Sequence, residues 1–183
     1  CIRDRSNADR IIELLMKYHS LDIEWGNHDI LWMGAACGSE ACIANVLRNN
    51  IKYGNMEILE NSYGISLRSL ILFAEKLYPD LTPMKAALKA ISIILFKLEG
   101  QIIMRHSEYN MDDRLLLDKM DLGKGTVCIE GQEYDLNDTY FPTIDFKQPY
   151  VLSEEEQKVM EDLRASFRNS HVLRDHVEFL YEK

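Results

Sequence analysis

"LDIEWGNHDILWMGAA", Leu21 to Ala36, decides the reading of this chain, because it sets Asn27, His28 and Asp29 at the junction of two differently patterned segments. Leu21, Ile23 and Trp25 alternate with Asp22 and Glu24, the two-residue period of a half-buried strand. Gly26 ends that pattern. From Ile30 to Asn50 the apolar residues recur at helical spacing, and the small residues of "MGAACGSEACIA" permit close packing.

Working outward, Asp9 to His19 has the spacing of a helix, so the start reads as helix, turn, strand. Three further helices are expected at Met56 to Tyr63, Leu67 to Tyr78 and Pro83 to Ser107, with Ser66 and Thr82 as N-caps. "AISIILF" within the last of these calls for burial nearly all round. Lys124 to Asp138 reads as a small hairpin turning at Glu130-Gly131-Gln132, and Tyr140 to Leu152 as a connector. Ser153 and Glu156 form a capping-box pattern ahead of a final helical region, re-capped at Ser170. The fold class is therefore mainly α, with one α/β element near the start and one small β-hairpin. A lone strand is incomplete, since its backbone groups need partners. That incompleteness, and an end at "HVEFLYEK" without a helix stop signal, read as marks of a fragment.

At 183 residues and 46% hydrophobic, the chain can bury a core. It has no apolar run long enough for a membrane span and no signal-peptide pattern. A formal net charge of -9 argues against nucleic acid as a partner. Cys1, Cys37, Cys42 and Cys128 show no zinc spacing. Cys37 and Cys42 read as small core residues and the compartment as a reducing, cytoplasmic one.

In open α/β architectures, ligands sit beyond the carboxyl ends of strands, which is where Asn27, His28 and Asp29 would fall. An amide oxygen can ligate a hard cation, an imidazole can move a proton near neutral pH, and a carboxylate can orient the imidazole or cap the next helix. The plainer reading of the same residues is a turn followed by a helix cap. His19, His106, His171 and His176 read as helix-surface residues. Glu154-Glu155-Glu156 reads as favourable charge in a first helical turn.

The longer string carries more. "IEWGNHDILWMGAA", with "ACIANVLRNNIKYGN" and "LENSYGISLRSLILFAEKLYP" downstream, resembles the class III fructose-1,6-bisphosphatases, members of the calcineurin-like metallophosphoesterases. The resemblance implies a dinuclear metal site, with manganese as the metal, Asn27 as a ligand and His28 acting on the phosphate. It makes residues 1–29 a piece of the phosphoesterase core, 30–123 a helical insertion region, and 124–183 the hairpin, connector and C-terminal helices. The activity implied is hydrolysis of fructose 1,6-bisphosphate in gluconeogenesis. A sugar bisphosphate is then the small-molecule partner, with homo-oligomerisation open.

Relatives of that kind carry an upstream Asp-x-His pair, a Gly-Asp-x-x-Asp-Arg-Gly motif and further histidine ligands downstream, so most of the metal cage is missing here and the chain by itself is expected to be inactive. "CIRDRS" has two readings. As a remnant of the second motif, it makes Asp4 the partner of His28 and puts Arg5 on phosphate. As foreign sequence ending in an expression-tag scar at Ser6-Asn7-Ala8, it does neither. The alternative to an enzyme is a helical interaction module in which Asn27-His28-Asp29 is a structural turn.

Overall fold

The computed structural model describes residues 7–18 and 20–182. Among the described residues, seven α-helices run in order: α1 (Ala8–Leu15), α2 (Asn27–Ala36), α3 (Glu40–Lys52), α4 (Arg68–Leu77), α5 (Pro83–Arg105), α6 (Glu154–Asn169) and α7 (His171–Glu182). A π-helical turn, Ile58–Ser62, lies between α3 and α4. The sheet is β1 (Met120–Asp121), β2 (Thr126–Ile129) and β3 (Gln132–Asp135), antiparallel throughout in the order β1-β2-β3. Two compact units divide the chain: Cys1–Ser92 with Lys158–Lys183, and Ile93–Gln157.

Two expectations are corrected at the start of the chain. Residues 21–26 form no strand. Leu21 and Ile23 are half-buried while Asp22 and Glu24 are exposed, so the alternation holds as far as Glu24 and fails at Trp25, which is 43% exposed. No strand among the described residues lies beside it to complete a ladder. The helix expected from Ile30 to Asn50 is two helices. Gly38 takes φ +89°, a conformation that stops α2, and Ser39 begins α3 by accepting the Cys42 N–H at 3.5 Å. Cys37 is consequently exposed at the turn rather than a core residue.

The first unit's core forms around Trp32 of α2, which is 1% exposed. Its ring lies 5.2 Å from Tyr63 and 6.4 Å from Phe167, and Tyr63 meets His176 of α7 edge-on at 5.7 Å. Ser170 caps α7 as expected, accepting the Leu173 N–H, and donates its hydroxyl to the Tyr63 carbonyl. Gly34 brings α2 against α3, since a Cβ there would stand 2.6 Å from Cys42 Sγ. A satellite cluster of Ile12, Phe179 and Leu180, with Leu15, Leu21, Ile23 and Met33 packed on it, ties α1 and residues 21–23 to α7.

In the second unit, Lys97 is buried and donates to Glu156 Oε2 at 2.7 Å and to the Thr143 carbonyl at 2.6 Å. Glu156 also accepts the Ser153 N–H at 2.8 Å, and Ser153 Oγ accepts the Glu156 N–H at 3.2 Å, completing the capping box. Glu156 is thus no mere helix-dipole charge. Tyr150 donates to Asp118 at 2.5 Å, and its ring fills the space beside Gly100, where a Cβ would meet it at 2.1 Å. The hairpin turns at Glu130 and Gly131, both at positive φ. "AISIILF" is buried except at Phe96 and, in part, Ser92.

Candidate active site

Gly26 is the N-cap of α2, so Asn27, His28 and Asp29 are the first turn of a helix and not a loop. Asp29 Oδ2 accepts the Gly26 N–H at 3.0 Å, and the Gly26 carbonyl accepts the Asp29 N–H at 3.1 Å. Glycine has no side chain to return the second bond of a capping box. The Asp29 carboxylate is therefore the side chain that caps the turn, with Asn27 left exposed and His28 half-buried.

The turn opens on a cleft of about 700 Å³. Leu15, Leu21, Ile23 and Leu180 form its apolar walls, and Asp22, Glu24, Asn27, His28 and Asp29 supply the polar groups. Trp25 fastens the segment from the other side: its indole N–H donates to the Leu180 carbonyl at 2.8 Å, and its ring stacks on Tyr181 at 6.3 Å. Three carboxylates on one cleft favour cations and disfavour a bare phosphate. Manganese, with its taste for oxygen ligands, suits the amide of Asn27 and these carboxylates in kind but not in arrangement. No group of three His, Cys, Asp or Glu side chains among the described residues is placed to hold a metal ion.

Asp4 and Arg5, and also His19, lie outside the described residues. His106 and His171 are surface residues; His106 hydrogen-bonds Glu108 at 2.8 Å, and this bond holds the Glu108 carboxyl below its usual range. His176 is buried at 2% exposure, which corrects its surface reading: its ring completes the Trp32–Tyr63 core instead. The contribution of Leu180 to the cleft was not visible in the sequence pattern, because 155 residues separate it from Trp25. Asp22 and Glu24 were visible only as the outward half of an alternation.

A family model described as Firmicute fructose-1,6-bisphosphatase matches residues 2–183. The chain belongs to that family. Within it, the chain is 50% identical to the class 3 fructose-1,6-bisphosphatase of Listeria innocua, covering 96% of this chain and 30% of the relative. It is 50% identical to that of Clostridium novyi, covering 100% of this chain and 30% of the relative, and 47% identical to one from Clostridium beijerinckii, covering 95% and 29%. The chain thus spans about 30% of the length of these fructose-1,6-bisphosphatases. No solved structure matches it at a significant level. No helix among the described residues is long and apolar enough to cross a membrane.

Proposed function

We propose that this chain forms part of a metal-dependent phosphatase that hydrolyses fructose 1,6-bisphosphate to fructose 6-phosphate and phosphate in gluconeogenesis, with residues 1–29 a piece of its phosphoesterase core. Family membership motivates the reading. The observation that supports it in this chain is the first turn of α2, which turns Asn27 and His28 onto an acidic cleft.

Manganese is the proposed metal and Asn27 one of its ligands. The described residues do not hold such an ion by themselves, so the chemistry assigned to this chain is that of His28. In the hydrolysis, water attacks phosphorus, the bond from phosphorus to the sugar oxygen breaks, and that oxygen takes up a proton. An imidazole on the cleft can supply this proton or a hydrogen bond to a phosphoryl oxygen. Asp29 has a supporting role, since its carboxylate fixes the turn that carries both residues.

The same bond favours a second reading, in which the segment is a capped turn of a helical interaction module and nothing more. The test is His28→Asn in the full-length protein, assayed against manganese concentration with bound metal counted. The proposed role requires kcat to fall by about 10² to 10⁴, with metal content unchanged and no rescue by excess metal. Normal kcat, with at most a small loss of stability, would reduce the segment to a capped turn, and absence of any phosphatase activity in the wild type would favour the interaction module.

A further inference from the structure

At the other end of α2 the structure shows an arrangement that the cleft does not use. Gly38 closes the helix, and two guanidinium groups from α6 converge on its α-carbon: a Cβ there would stand 3.0 Å from Arg168 Nε, 3.2 Å from Arg168 Nη2 and 3.2 Å from Arg164 Nε. The paired donor edge of Arg168 is therefore turned to a CH₂ group and not to an acceptor. Arg164 Nε is fully buried and has no hydrogen-bond partner. Arg168 has no hydrogen-bond or ion-pair partner among the described residues. The nearest counter-charge is Glu40, whose Oε1 lies 3.5 Å from Arg164 Nη1, with the two side chains 33% and 41% exposed. A contact that long and that exposed to solvent neutralises little.

Two like charges this close repel unless an anion stands with them, and a buried N–H without an acceptor is costly. Both conditions are met by one oxyanion. We infer that Arg164 and Arg168, over the floor made by Gly38, form a binding site for a phosphate group. A guanidinium fork matches two phosphate oxygens at once; the forks lie against Gly38 with too little room for even a methyl group, so the ligand enters when the exposed Arg168 side chain swings away from the glycine. Glycine is required at the floor, because any side chain would occupy the space beneath the two forks, and φ +89° already disfavours one. The bound phosphate displaces Glu40 from Arg164. The site is separate from the cleft, since α2 has 10 residues, which put about 15 Å between its ends.

The experiment is equilibrium dialysis of labelled inorganic phosphate against the protein, with chloride holding ionic strength constant. Wild type is compared with Arg168→Gln, Arg168→Lys and His28→Asn, each checked for folding by circular dichroism. Arg168 is exposed, so both of its variants should fold; the lysine keeps the charge and removes the fork. The site predicts saturable binding in the wild type, kept in His28→Asn and weakened about tenfold or more in both Arg168 variants, as for loss of a hydrogen bond to a charged group. Competition with fructose 1,6-bisphosphate identifies the source: displacement assigns the site to a sugar phosphate, and persistence assigns it to inorganic phosphate. Wild-type affinity in the Arg168 variants, or no saturable binding at millimolar phosphate, overturns the inference. Loss of binding in His28→Asn alone places the phosphate in the cleft and overturns it equally, while leaving the proposed function intact.

Discussion

At the start of α6 the Ser153 N–H donates to Glu156 at 2.8 Å, and at the start of α2 the Gly26 N–H donates to Asp29 at 3.0 Å. The two caps share one idea, a carboxylate in the first turn reaching back to the N-cap, yet their surroundings are opposite. Around α6 the box is reciprocal, the carboxylate is buried, and Lys97 closes it. Around α2 the cap residue has no side chain, and the next two residues face a cleft. Burial with every bond satisfied makes a joint. The same joint left half-made presents side chains to an open cleft.

Breaking the sealed cap should cost most. Lys97→Met leaves the Glu156 carboxylate buried without its cation, and unfolding in urea should show a loss of about 3–5 kcal/mol. A loss below the effect of an ordinary cap would mean that the pair is wetter than its geometry. Gly100→Ala tests the packing around the same unit, because its new methyl group meets the Tyr150 ring; about 1–3 kcal/mol is expected, again by urea. Ser153→Ala should cost about 1 kcal/mol as a lost N-cap side chain. Asp29→Ala should cost no more than that, since Gly26 has no side chain to return the second bond of the box. An Asp29 effect well above the Ser153 one would show the open cap to be the stronger joint and reverse the comparison.

The smallest effect is confined to alkaline solution. Burial first, and then the hydrogen bond to Asp118, raise the Tyr150 phenol above its ordinary 10.0. The unfolded chain therefore gives up this proton before the folded one does, and folding releases stability as pH rises past about 10. Below that pH the contribution is complete. Thermal unfolding midpoints across pH 9 to 11, roughly the range that brackets an ordinary phenol, should fall less steeply in Tyr150→Phe than in the wild type. Equal slopes would show the Tyr150–Asp118 contact to be open to water.

What could be read from the sequence follows from whether its cause was local. The capping box at Ser153 and the recap at Ser170 depend on a few adjacent residues and stand as read, and the hairpin turn expected at Glu130-Gly131-Gln132 is one residue shorter, Gln132 opening β3. The break between α2 and α3 was also written locally, as Gly38 followed by Ser39, but an unbroken apolar period across it concealed the stop. The alternation of Leu21 to Trp25 describes which side chains turn inward at Leu21 and Ile23 but not at the exposed Trp25, and it is wrong about hydrogen bonding, because a strand needs a neighbour that no pattern in its own residues supplies. Partners far apart in sequence were invisible: Lys97 with Glu156, Trp25 with Leu180, and Tyr63 with His176. The candidate site was legible as a motif, and its walls were not, since Leu180 arrives from α7.

The chain has two tryptophans, and they stand in opposite optical environments. Trp32 is sealed at 1% exposure, whereas Trp25, 43% exposed, sits in the chain between the cleft residues Glu24 and Gly26 and donates its indole N–H to the Leu180 carbonyl. Intrinsic fluorescence accordingly contains two signals without any label. A blue emission from Trp32 reports the integrity of the core, and a redder emission from Trp25, open to quenching by acrylamide, reports the segment beside Asn27. A ligand that enters the cleft should shield the second signal and leave the first unchanged, which makes the protein its own probe for whatever binds there.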